Sequence, residues 1–331
     1  MPNQTTMFRA RRVAAPLLTT LCACSTVTVR VPVMKPAEIN MSPYSSVAVG
    51  GMTGSAGAIA NGVEEALVQT QRFTVVDRQH MDRIMRELRL SATDLADPSS
   101  AAKLGKVVTA GALIFGDVND QYRETPSEER SKDKEGTPHV SYKLHGVYNV
   151  RATFKVVDVA TGKLLIAKTY EEKREDTNRG YDKKPEAIDR QGLERTARQA
   201  VIERFMKAIV PHQEFANAAF LKDSDIPQLE GGIGWAERGE WKKAQDSFNT
   251  AATDAERNLK LKSGQIAKTY WNLGLSYEYA GDYQRAVDMI NKAFTMSNDR
   301  EMLRELDNIH QLEADAKRLA EQTSAEAAGG K

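Results

Sequence analysis

Cysteine is nearly absent: the 331 residues hold two, Cys22 and Cys24. None follows Cys24, so the rest of the chain can close no disulfide and offers no thiolate to a metal or a substrate. Histidine is scarce too. His80, His139, His145, His212 and His310 stand apart, without cysteine or carboxylate at ligand spacing, and no metal site is expected. Neither sign of charge prevails, with 46 Lys plus Arg against 45 Asp plus Glu, which removes the electrostatic case for nucleic acid. Past residue 24 no apolar run approaches the roughly 20 residues of a membrane helix. The run from Gly50 to Gly57 follows an apolar stretch but lacks both the Gly-Lys-Ser/Thr ending of a phosphate loop and the spacing of a dinucleotide site. Asp77-Arg78 reads as a helix cap with an ion-pair partner. No nucleophile, base and orienting group fall at a useful spacing, so neither an enzyme nor a cofactor is expected.

What is present begins at the N-terminus. Arg9, Arg11 and Arg12 precede an apolar run from Val13 to Ala23, the order of charge and apolarity of a secretory signal. The run ends in Leu21-Cys22-Ala23-Cys24-Ser25, which resembles the bacterial lipobox. The resemblance implies cleavage before Cys24 and acylation of its thiol, while Cys22, preceded by the bulky Leu21, leaves with the signal. An ordinary secretory signal with two incidental cysteines is the alternative. Several acyl chains anchor firmly where one does so marginally. The same resemblance implies that Ser25, in place of the Asp that favours the inner membrane, directs the chain in a Gram-negative cell to the outer membrane and its periplasmic face. Without the three signal arginines, 43 basic residues balance 45 acidic ones.

Residues 24–44, with Val27, Val29, Val31 and Val33 alternating and Pro36 and Pro43 as breaks, read as an extended tether with one edge strand. Residues 45–210 alternate strand and helix signals. Ser46–Val49 is a short apolar run closed by Gly50-Gly51, Ala58–Gln69 has helical spacing, and Phe73–Val76 precedes a helix carrying Met81, Ile84, Met85 and Leu88. A helix over 99–105, a strand at Ala112–Phe115, and a hairpin of Val150–Val159 with Leu164–Tyr170 turning at Gly162 follow. A helix from Leu193 ends near Pro211. The charged stretches Asp120–Pro138 and Glu171–Lys184 have little to bury and read as loops. The fold class is α/β with a mixed sheet and flanking helices, followed by an all-helical domain over 211–323 and a disordered tail over 324–331.

Two resemblances organise these signals. Tyr270, Asn272-Leu273-Gly274, Tyr277, Gly281-Asp282-Tyr283, Ala286, Ile290 and Ala293 resemble a tetratricopeptide repeat. Trp235, Gly239, Trp241, Ala244, Phe248 and Ala251 form an earlier copy offset by 42 residues, longer than the family's period of about 34. The N-terminal domain resembles the CsgG family of curli-secretion lipoproteins, through Phe73–Arg78 with Met81, Ile84, Glu87 and Leu88, through Gly111–Gly116, and through the hairpin Val156–Leu164. That family implies ring-forming periplasmic lipoproteins serving export or envelope assembly. Its pore-forming pattern needs about ten residues of alternating apolar and polar character per strand. In the two corresponding stretches, Asp117–His145 and Thr169–Arg190, charge is too dense for a lipid-facing strand.

The expected function is a lipid-anchored adaptor or assembly factor that binds other envelope proteins. A membrane contact through Cys24 and a homo-oligomeric ring through the CsgG-like domain are expected with it. Trp235, Trp241, Phe248, Tyr270, Asn272, Tyr277 and Tyr283 are the candidate partner-binding residues. A secretion-channel subunit and a regulator of a peptidoglycan synthase are the alternatives. Met302, Leu306, Ile309, Leu312, Ala316 and Leu319 form an apolar stripe, expected to cap the repeats near Tyr283, with Asp315 off the stripe and nothing large to bury from Glu321 on.

Overall fold

The computed structural model describes residues 26–91, 94, 97–105 and 110–329. The signal sequence and Cys24 lie outside the described residues. Two compact units result: residues 26–31 with Phe215–Gln311, and Pro32–Glu214 with residues 312–329. Each therefore takes in a piece of chain remote from its main body.

The larger unit is the expected mixed α/β fold. Strands β2 (Ser46–Gly54), β3 (Thr74–Val76), β4 (Ala112–Lys132), β5 (Pro138–Asp158) and β6 (Leu164–Tyr181) form a sheet of order β3-β2-β4-β5-β6. The first three are parallel, and the β4-β5 and β5-β6 pairs antiparallel. Alternate residues separate two cores. Val47, Val49, Ile114, Phe154 and Val156 pack with Ile59, Val63 and Leu67 of α1 (Gly57–Thr70) and Val201 and Phe205 of α4 (Arg190–Ile209). Ala48, Leu113, Phe115 and Val157 pack with Met81, Ile84 and Met85 of α2 (Arg78–Glu87) and Leu104 of α3 (Pro98–Gly105). The stacked rings of Phe154 and Phe205, 4.2 Å apart, fix α4 on the sheet.

Several expectations require correction in this unit. Gly50-Gly51 does not end β2: the register slips between Val49 and Met52, Gly51 takes φ of 63°, and the strand continues to Gly54 as a bulged strand. As far as Lys132 and Tyr181 the two charged stretches are strands, paired without interruption from Ala112↔Asp158 to Lys132↔Pro138 and, past a register shift at Val156/Val157, from Val156↔Ile166 to Ser141↔Tyr181. Backbone pairing needs no apolar side chain. The stretches also gain local support, because Asn178 Nδ2 donates to the Glu186 and Ala187 carbonyls of the returning chain, and Ile188 is buried. The segment read as a tether is packed, with Ala37 and Met41 buried and Glu38 and Ile39 donating to the Ala208 carbonyl.

The repeat unit holds α5 (Gln228–Ala236), α6 (Trp241–Arg257), α7 (Ser263–Glu278) and α8 (Tyr283–Ser297), two helical hairpins at the expected places. Gly274 allows the close approach of α7 and α8: a Cβ there would stand 2.7 Å from Ile290 Cδ1. The extra length beyond the family period falls in the long α6 and the connection after it, where Leu259 is fully exposed. The region is not all-helical, because β7 (His212–Leu221) is a strand that pairs with β1 (Thr26–Lys35).

Helix α9 (Glu301–Gly329) buries Met302 and Ile309 within the repeat unit, as a cap would. The remainder departs from the sequence reading. Asp315 is buried and pairs with Lys35 at 2.9 Å. Gln322, in the stretch from Glu321 where nothing large is expected to be buried, is buried, accepting from the Ala37 N–H at 2.8 Å and donating to the Ala37 carbonyl at 2.9 Å. Arg318 donates to that same carbonyl, and Arg72 donates to the Gln322 carbonyl. Polar pairing joins the apolar stripe here, where Leu312, Ala316 and Leu319 are half-buried.

Candidate functional site

The candidate partner-binding residues do not form one surface. Phe248 is fully buried, its ring stacked on Phe220 at 5.7 Å. Tyr270 is buried, its hydroxyl donating to Glu256 at 2.6 Å and accepting from Lys292 at 2.7 Å, with the Lys292 ammonium 3.9 Å from the ring centroid. Asn272 is fully buried. These three belong to the interior and cannot meet a partner directly. Trp235, Trp241, Tyr277 and Tyr283 are half-buried. Lys243 and Arg238 approach the Trp235 ring at 4.6 and 5.6 Å, Trp241 lies against Tyr279, and Arg285 approaches Tyr277.

One face of α7 already holds an extended peptide, and the peptide is the chain's own. Asn272 Oδ1 accepts from the Leu221 N–H and its Nδ2 donates to the Leu221 carbonyl, both at 2.8 Å. Trp271 Nε1 donates to the Ala219 carbonyl at 2.8 Å. Beyond the strand, Lys268 pairs with Asp223 at 2.8 Å in a nearly buried contact, and Gln265 Nε2 donates to Asp223 and Asp225. Burial works against the Asp223 charge, but the hydrogen bonds from Lys268 and Gln265 and the Lys268 charge hold its carboxyl below the usual range. A backbone read at both its donor and its acceptor, with a terminal carboxylate clamp, is the chemistry of extended-peptide recognition. The sequence signal was available in Lys268, Trp271 and Asn272 on one helix face; the identity of the ligand was not.

In the α/β unit the converging polar groups are Asp120, Tyr148 and Arg198. Tyr148 donates to Asp120 at 2.5 Å, while Arg198 donates to the Tyr148 hydroxyl at 3.0 Å and to Asp120 at 2.8 Å. Burial opposes the Asp120 charge, yet the bonds from Tyr148, Arg198 and Ser55 outweigh it and keep the carboxyl below its ordinary value. Burial, then Asp120, pushes the Tyr148 phenol up. Each group is spent on the others, which ties the base of the long β4-β5-β6 ribbon to α4 and leaves no reactive member. Beyond it both faces of β4 are exposed from Arg123 to Lys132. Among the described residues no group of three or more His, Cys, Asp and Glu could hold a metal ion.

A further ionisable group sits at the end of α7. Glu278 is 2 % exposed, and among the described residues neither carboxyl oxygen has a hydrogen-bond partner at bonding geometry. Burial, reinforced by the nearby Glu305 carboxylate of α9, pushes its pKa up to about 9, so it is the neutral acid at pH 7.

Residues 40–183 match the family model of the curli production assembly/transport component CsgG, and residues 236–299 that of the tetratricopeptide repeat. No curated protein sequence matches the chain. Among solved structures, lipoprotein GNA1162 from Neisseria meningitidis is 15% identical, covering 49% of this chain and 97% of its own, with a TM-score of 0.28. The LpoB C-terminal domain from Salmonella enterica is 18% identical, covering 39% and 83%, with a TM-score of 0.23. The PelC dodecamer from Paraburkholderia phytofirmans is 16% identical, covering 56% and 99%, with a TM-score of 0.25.

Proposed function

From a CsgG domain followed by tetratricopeptide repeats, we propose that this chain is a periplasmic lipoprotein of the outer membrane, anchored through Cys24, that acts as an adaptor or assembly factor by binding other envelope proteins or further copies of itself. The observation that carries this reading is the β4-β5-β6 ribbon. Its base is tied to α4 by the closed Asp120–Tyr148–Arg198 cluster, and its outer length carries charge on a paired backbone. A charged extension with a fully paired backbone is suited to recognition.

The channel alternative gains from the geometry and loses on the chemistry. The two charged stretches are strands, as inserted hairpins would be, but β4 from Asn119 to Lys132 and β6 from Glu171 to Tyr181 lack the alternating apolar residues that face lipid. The adaptor reading therefore expects no conductance when the acylated protein is added to a planar bilayer. Metabolic labelling with a palmitate analogue should mark the wild type and the Cys22→Ala variant and spare Cys24→Ala, with the labelled protein in the outer-membrane fraction. Label that survives in Cys24→Ala refutes the anchor, and discrete single-channel steps refute the adaptor.

A further inference from the structure

Strand β1 starts at Thr26, two residues past Cys24. Two residues span about 7 Å at most, whatever their conformation. A lipid at Cys24 therefore has no tether, and what it holds first is the repeat unit, to which residues 26–31 belong. In that unit β1 is fixed from within: Val29 and Val31 are buried, while Thr26, Thr28 and Arg30 are exposed. Its partner β7 alternates likewise, with Ala218 and Phe220 buried and Phe215 and Asn217 exposed. Phe220 stacks on Phe248 on the inner face, and the Ala219 and Leu221 backbone is held by Trp271 and Asn272 at the edge of β7, so the sheet is fastened to the helices and its other face is left outward.

The outer side carries a pairing without use in the fold. Phe215 is 54% exposed, and the Arg30 guanidinium stands 4.6 Å from its ring centroid. An exposed phenylalanine ring costs free energy in water and recovers it when buried at the headgroup–acyl boundary of a membrane. An arginine beside it can reach a phosphate while its stem stays on the apolar surface. No carboxylate belongs to the outer row Thr26, Thr28, Arg30, Phe215 and Asn217.

We propose that the outer face of the β1-β7 sheet lies on the phospholipid headgroups of the bilayer that receives the Cys24 lipid, Phe215 at interfacial depth and Arg30 on a headgroup phosphate. This rests on the acylation of Cys24. The short reach from the lipid supplies the effective concentration, so a contact too weak to bind a free protein suffices. The membrane then holds the tetratricopeptide unit in one orientation, because the strand next to the anchor is also the strand paired with the segment that α7 grips.

The acylated mature chain has no free thiol, so a single introduced cysteine can carry a nitroxide. Thr28→Cys, Asn217→Cys and, as a remote control, Leu259→Cys would be purified in acylated form, checked by intact mass and reconstituted in vesicles of phosphatidylethanolamine and phosphatidylglycerol. Power-saturation depth measurements should place the labels at 28 and 217 at headgroup level, with a ratio of oxygen to nickel-complex accessibility severalfold above that at 259. Adding Phe215→Ser and Arg30→Glu to Asn217→Cys should return its ratio to the control value while the protein stays in the vesicle pellet. Acylated protein with three equally water-accessible labels overturns the proposal alone, as does a shielded label at 217 that the double substitution leaves unchanged, the mark of a protein contact. An intact mass lacking the lipid overturns the anchor and the proposal together.

Discussion

Replacing Glu278 by Gln should make the repeat unit less sensitive to alkaline pH, because the native state holds a proton there that the unfolded chain releases. The carboxyl titrates near its ordinary 4.5 when solvated and at about 9 in the fold, where burial and then Glu305 oppose its charge. Below pH 4.5 both states are protonated and the group does not affect stability. As pH rises toward 9 the unfolded state alone gains the charge, and stability falls across that window. At pH 7 the loss amounts to about 3 kcal/mol, from about 1.4 kcal/mol per pKa unit. Glutamine keeps the shape and carries no charge in either state. The predicted gain is therefore near zero at pH 4.5 and about 3 kcal/mol at pH 7, on the order of 10 °C in melting temperature for a unit of this size. Calorimetry of wild type and Glu278→Gln from pH 4.5 to 9 tests this through the difference between the curves, so a constant penalty for the buried amide cancels. A difference independent of pH would show that Glu278 is ionised in the fold and that its burial is misjudged.

Three other perturbations address separate parts of the structure. Asn272→Ala strips the Leu221 N–H and carbonyl of their partners and should cost about 2 kcal/mol, with faster hydrogen exchange over residues 218–225; unchanged exchange there would remove Asn272 from its role in gripping β7. Gly274→Val drives a side chain into Ile290 and should cost about 1–3 kcal/mol, with partial recovery in Gly274→Ala combined with Ile290→Val; calorimetry showing no loss would contradict the close approach of α7 and α8. At the ribbon tip, the hydrogen bond from His139 to Asp182, then Asp133, raises the imidazole above its ordinary 6.5. The tip contacts should thus be complete below pH 6.5 and weaken as pH rises through the shifted value. An NMR titration in which Asp182→Asn leaves the His139 midpoint in place would refute that pairing.

The parts of the fold legible in the sequence are those where burial imposes a period. Ser46–Val49 and Ala112–Phe115 are short apolar runs because both sheet faces are covered there, the edge run Phe73–Val76 is half-buried, and the repeats announce themselves through Gly274 and Ala286, where helices touch. The outer halves of β4 and β6 bury too little to leave a period of two, and their charges imitate a loop. Asn272 fits the repeat motif and stands among the candidate partner-binding residues, yet its partner is Leu221, 51 residues away, and no local pattern encodes that. Asp315 and Gln322 defeated the apolar-stripe reading for the same reason: each is buried against the segment near Lys35 and Ala37, about 280 residues back in the chain.

The central claim is that a lipid-anchored chain presents the ribbon as a binding surface. It is tested most directly by placing a photo-crosslinking residue at Arg123, Glu129 or Arg151 of the intact, acylated protein in living cells. Light-dependent adducts, with another envelope protein or a second copy, are expected from these ribbon positions and none from Glu65 on the outer side of α1. Ribbon positions that give no adduct, or no more than Glu65, would contradict it.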